Sequence, residues 1–126
     1  LLIVFSTLNL TCMTTQSYYE YADGSANVYI LTGTKLEYDP IRPEESSTGM
    51  YSGGDPKSVT LTRTKADSLR TLMDQAFTHT AVHIPDRVKG SGLIRIGVGK
   101  DRKQCILVQG CEEIKTIEGA LKKCLE

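Results

Sequence analysis

The chain has 126 residues, 40% hydrophobic and 24% charged, which fits one globular domain with one core. Its formal net charge is zero, which excludes a global polyanion-binding signature. The charge is divided, however: residues 1–56 carry two basic and seven acidic side chains, and residues 57–126 carry thirteen and eight. Attraction between the two halves explains that division more simply than a nucleic-acid surface does.

The first element is "LLIVF", Leu1–Phe5, followed by small and polar residues and then Cys12. The run is too short to span a bilayer, but its length suits the apolar core of a secretory signal. With Thr11 directly before Cys12, and Leu8 and Leu10 flanking Asn9, residues 1–12 resemble a bacterial lipoprotein signal, truncated at its start. That resemblance implies export, lipid on Cys12 as a membrane anchor, a place in the cell envelope, and a mature domain of residues 13–126. The polar flank "MTTQS" agrees with a linker at this point. The alternative is a buried first strand, "LLIVF", in a cytoplasmic structural or regulatory subunit.

"SYYEYADGSANVYILT" predicts a β-hairpin, with two Tyr-, Val- and Ile-rich runs on either side of Asp23-Gly24-Ser25. "TKLEYDP" continues as a strand that places Leu36 and Tyr38 on one face, and Pro40 ends it. Residues 40–57 then show neither helical nor strand period. They hold Pro40, Pro43 and Pro56 together with Gly49, Gly53 and Gly54.

"SVTLT" alternates again. "TKADSLRTLMDQAFTHT" predicts a helix capped by Thr64 with Asp67 as reciprocal partner, and Ala66, Leu69, Leu72, Met73, Ala76 and Phe77 form its apolar stripe. A short extended piece is expected at Ala81–Ile84. "LIRIGVG" and "QCILVQG" predict strands joined by a basic turn, "KDRK". "CEEIKTIEGALKKCLE" predicts a second helix, with Glu112 and Glu113 in its first turn and Lys122 and Lys123 in its last, matching the helix dipole. The fold class is therefore α+β: an antiparallel sheet of about five to six strands with two helices packed on one face.

Catalytic motifs fail one by one. Gly49 and Gly54 have the spacing of a phosphate loop, but Asp55 and Pro56 separate them from Lys57-Ser58, and a strand follows rather than a helix. Ser52 in "MYSGG" lacks the first glycine of a nucleophile elbow, because Met50 stands there. A small serine-dependent hydrolase using Ser52 with His79 or His83 is retained as the alternative activity. The two histidines straddle a predicted helix end, where His79 serves more simply as a dipole partner, and Asp39, Glu44 and Glu45 lack the alternation of a calcium loop. No metal site and no cofactor is expected. Cys105, Cys111 and Cys124 form no CxxC, and burial as small apolar side chains is the simpler reading for them, with a Cys105–Cys124 disulfide as the alternative.

All six tyrosines lie in the first 51 residues. Tyr19 and Tyr21 share one strand face and are expected to pack across strands, with a protein- or glycan-binding face as the alternative. The basic pieces around Arg87, Lys89, Lys100, Arg102 and Lys103 have no interleaved aromatics, so no nucleic acid is expected. The 40–57 loop is then the main functional candidate. Glycines on both sides of Met50-Tyr51 present an apolar pair, and the prolines stiffen its approach. The functional expectation is a non-enzymatic, exported, lipid-anchored domain. It would bind an envelope or extracellular protein through Met50, Tyr51 and Ser52. Inward folding of Met50 and Tyr51, as a plug for the sheet, is the rival placement.

Overall fold

The computed structural model describes residues 17–126. The lipoprotein-like segment 1–12, Cys12 and the alternative first strand lie outside the described residues. Within them the strands are β1 (Ser17–Ala22), β2 (Val28–Thr32), β3 (Lys35–Asp39), β4 (Lys57–Thr60), β5 (His83–Ile84), β6 (Gly92–Val98) and β7 (Asp101–Leu107). The helices are α1 (Arg63–Thr78) and α2 (Glu112–Cys124). All seven strands form one antiparallel sheet in the order β4-β3-β2-β1-β6-β7-β5, so the fold is α+β.

β1 sits at the centre, pairing with β2 through Tyr21↔Tyr29 and with β6 through Tyr21↔Ile94. Alternation sends Tyr19 and Tyr21 to the helix side, where the Tyr19 hydroxyl donates to Asp74 Oδ1 of α1 at 3.0 Å and the Tyr21 hydroxyl to Glu118 Oε2 of α2 at 2.7 Å. Both helices therefore lie on one face. The core between sheet and helices joins Tyr21, Tyr29, Leu31, Leu36, Ile94 and Leu107 to the helical stripes. α1 contributes Ala66, Leu69, Met73 and Ala76, and α2 contributes Ile114, Ile117 and Leu121. Each large apolar side chain buried this fully stabilises the fold by about 1.5–3 kcal/mol.

The other face of the sheet is polar at its centre. Arg95 on β6 bridges Glu20 on β1, at 3.0 Å, and Gln104 on β7, at 3.1 Å. The Glu20–Arg95 pair joins the acidic first half to the basic second half. Tyr18 lies on this face with its ring against Gly97: a Cβ on Gly97 would stand 2.4 Å from the ring. The glycine admits the aromatic ring to the neighbouring strand.

Three expectations need correction. The sheet has seven strands, not five to six, because the end of the piece at 81–84 pairs onto it as an edge strand. Thr80–Val82 forms one 3₁₀ turn, and His83–Ile84 pairs with Leu107 and Ile106 of β7 before Pro85 ends the ladder. The cap of α1 is Thr62, whose hydroxyl accepts from the Lys65 amide at 3.2 Å, while Asp67 pairs with Arg70 at 2.6 Å. With Thr62 as the cap, the third helical residue is Lys65, so Asp67 lies past the capping-box position and pairs with the half-buried Arg70 instead. "KDRK" is not all turn: β7 begins at Asp101, and Gly99, with φ +61°, turns the chain within two residues. Lys103 is thus a strand residue, with its ammonium 4.8 Å from the Phe77 ring centre. Cys105, Cys111 and Cys124 are unpaired in the structure, so the alternative Cys105–Cys124 disulfide is not formed there. Cys105 is buried, and burial raises its thiol pKa to about 11. No helix among the described residues is long and apolar enough to cross a membrane.

Candidate functional site

The β1–β2 connection, Asp23 to Asn27, organises the long loop. Asp23 behaves as an Asx-turn residue: Oδ1 accepts from the Ser25 amide at 2.9 Å and the Asn27 amide at 3.0 Å. Its other oxygen accepts from Asn27 Nδ2 at 3.1 Å. The Asn27 side chain, fixed in this way and 4% exposed, then reaches two points of the loop. Oδ1 accepts from the Ile41 amide at 2.9 Å, and Nδ2 donates to the Tyr51 hydroxyl at 3.0 Å. The loop closes on itself where the Gly53 amide donates to the Ile41 carbonyl at 3.0 Å. β3 adds a third tie, the Tyr38 hydroxyl donating to the Gly53 carbonyl at 2.6 Å. Gly53 is required by proximity, because a Cβ there would lie 2.0 Å from Asn27 Oδ1.

Between these ties, Arg42 and Glu45 close a 3₁₀ turn over Pro43–Glu45. The Ser46 hydroxyl donates to the Pro43 carbonyl at 2.8 Å and accepts from the Tyr51 amide at 3.3 Å. The loop is therefore built, although it has no period. The second half of the chain supports it from below: Arg87 donates to the Asp23 carbonyl at 2.8 Å and also to the Ser91 carbonyl. Arg87 is a structural clamp rather than part of a free basic patch.

Met50 and Tyr51 part company. Met50 is 84% exposed, while Tyr51 is 40% exposed and spends its hydroxyl on Asn27. Neither arrangement expected from the sequence describes both residues. Ser52 is exposed, and its Oγ accepts from the Gly54 amide at 3.2 Å. The candidate bases are elsewhere. His83 is in β5, at the opposite edge of the sheet from β3 and β4, about 24 Å away at five strand spacings. Its Nε2 contacts the Ala76 carbonyl at 2.9 Å. His79 caps α1 at its C-terminus and hydrogen-bonds Glu113 of α2. That bond holds the Glu113 carboxyl below the usual carboxylate range. Nothing in the structure brings a base to Ser52 among the described residues. Among them, too, no three His, Cys, Asp or Glu side chains group to hold a metal, and Glu45 is engaged by Arg42.

Beneath the loop, Tyr29 and Tyr38 pack with ring centres 4.8 Å apart and planes inclined by 35°. They line a cavity of about 320 Å³ together with Gly53, Gly54, Asp55, Lys57, Lys122, Leu125 and Glu126. Burial raises the pKa of both phenols, keeping them protonated donors. Sequence reasoning reached the loop but missed Asp23, Asn27 and this cavity. The Asp-x-x-x-Asn spacing in the turn was the available signal for the hub. The cavity had none, since its walls come from β2, β3, the loop, the start of β4, and the end of α2 with the two residues after it. In comparisons with known proteins, the sequence matches no protein-family model and no curated protein.

Proposed function

We propose that this protein is a non-enzymatic binding domain that engages an envelope or extracellular protein through the 40–57 loop. The observation that carries this reading is Met50, 84% exposed on a loop tied at Ile41, Tyr51 and Gly53. A flexible apolar side chain on a preorganised loop offers a partner contact area without the cost of ordering the backbone. Tyr51 holds the loop through its hydroxyl and remains 40% exposed beside Met50, and Ser52 flanks it. The lipoprotein-like residues 1–12 support display from a membrane through lipid on Cys12, outside the cytoplasm.

A photo-crosslinking amino acid placed at position 50 tests this in the native cell. A discrete adduct from position 50, missing when the crosslinker replaces exposed Lys115 on α2, is the expected result. Equal or absent adducts at both positions would remove the reading. Intact-mass measurement of the native protein tests the anchor, which requires a diacylglyceryl-sized mass on an N-terminal Cys12.

A further inference from the structure

We infer that the cavity beneath the loop is a saccharide-binding site, sized for a mono- or disaccharide. Its volume, about 320 Å³, lies at the lower end of the range for small-ligand pockets. The inference goes beyond the Met50 surface and does not depend on it.

The first observation is Tyr29. This residue is 4% exposed, and its hydroxyl makes no hydrogen bond to any described residue. Its neighbours in the same aromatic cluster do otherwise: Tyr21 donates to Glu118 and Tyr38 to Gly53. Among the described residues no fully buried side-chain polar atom lacks a partner, so the Tyr29 hydroxyl keeps its contact with solvent. The cavity is where Tyr29 reaches the surface. A phenol this deeply buried in a cavity wall, with no described acceptor for its hydroxyl, can donate to a ligand acceptor there.

The second observation is the composition of the walls. Lys57, the first residue of β4, and Lys122, in the last turn of α2, bring two ammonium groups. Asp55 and Glu126 bring two carboxylates to the same cavity. None of the four is in an ion pair with another described residue. A simple anion would meet the carboxylates, and a simple cation the ammoniums. A neutral polyhydroxylated ligand satisfies both, because each hydroxyl donates to a carboxylate and accepts from an ammonium or from Tyr29. The half-buried Tyr38 ring supplies the apolar surface on which the C–H face of a pyranose packs, while Tyr29, buried behind it, offers only its hydroxyl. The binding step is non-covalent, and no bond changes.

The test is titration of the full chain, isotopically labelled, with glucose, galactose, N-acetylglucosamine, cellobiose, lactose and chitobiose, followed by amide chemical shifts. Saturable shifts at Gly53, Gly54 and Lys57 are expected with at least one of these sugars, with Kd of about 1 mM or tighter. Tyr29→Phe is expected to weaken that binding about tenfold without loss of thermal stability, because the hydroxyl it removes bonds to no described residue. Met50→Ala is expected to leave the affinity unchanged, which separates this site from the protein-binding surface. The inference is overturned if none of the sugars gives saturable shifts, if Tyr29→Phe binds as tightly as the wild type, or if sodium acetate reproduces the shifts.

Discussion

The hydroxyl of Tyr21, at the centre of the sheet, donates to the carboxylate of Glu118 on α2 at 2.7 Å, joining residues 97 positions apart. Tyr21 is fully buried, and a Cβ on Gly92 of β6 would stand 2.8 Å from its hydroxyl, so a side-chain-free neighbour leaves room for the phenol. Tyr21→Phe leaves Glu118 without this donor and is expected to cost about 1–2 kcal/mol. Urea unfolding measures it. A double-mutant cycle with Glu118→Gln should return a coupling energy clearly above zero, and additive losses would show that the bond contributes little.

Asn27 carries the loop. Its side chain serves Ile41, Asp23 and Tyr51 at once. Asn27→Ala is expected to destabilise the domain by about 1–3 kcal/mol, because it removes several bonds of one buried side chain and leaves partly buried partners without them. The Ile41 amide should lose its hydrogen-exchange protection first. A variant whose exchange at Ile41 matches the wild type would mean that the loop is held by other contacts.

Glycine and alanine positions separate by space. Gly119 is exposed in α2, and a Cβ added there would meet nothing within 4 Å, so Gly119→Ala is expected to stabilise the domain by about 0.5–1 kcal/mol. Ala26 holds φ +70° in the β1–β2 connection, so Ala26→Gly should relieve strain there. Gly53→Ala should do the reverse, since its new methyl would collide with Asn27. Thermal melts of the three variants order them directly.

The His79–Glu113 contact makes an acid-limb prediction. The Glu113 carboxyl is held below its ordinary value of 4.5, chiefly by the hydrogen bond from His79. A depressed carboxylate stabilises the folded state above its unfolded pKa and loses that contribution as pH falls through the lower folded value. Wild type should therefore exceed His79→Ala in stability above about pH 4.5, with the gap closing as the pH drops further. A gap that does not change with pH would show that the contact contributes nothing through Glu113.

Among the three described cysteines, Cys105 should react last. Burial raises its thiol pKa to about 11, while Cys111 and Cys124 are only partly buried. Iodoacetamide at neutral pH, read by peptide mass, should label Cys111 and Cys124 before Cys105. Early labelling of Cys105 would mean that β7 opens readily.

Much of the fold is legible in the sequence because its signals are local. The alternation in "SYYEYA" and "KLEYD" assigns faces to Tyr19, Tyr21, Leu36 and Tyr38, and three- and four-residue spacing marks Leu69, Met73, Ile114 and Ile117 as buried. The cap of α1 is not legible in the same way. Thr62 and Thr64 carry the same hydroxyl, and only the backbone shows which one bonds the Lys65 amide. The two-residue strand His83–Ile84 has too few residues for a period and exists because β7 offers it an edge.

By itself, then, the sequence determined the α+β class, the two buried helical stripes, the faces of the tyrosine strands and the position of the long loop, all properties of residues within one or two turns of each other. The tertiary structure decided which polar groups meet. It decided that Asn27 binds Tyr51, that Tyr21 binds Glu118, that Ser52 stands apart from both histidines, and that Tyr29 lines a cavity whose walls come from segments far apart in the chain. Those pairings depend on long-range chain closure, and a buried donor finds its acceptor only once the sheet and helices have fixed both in place.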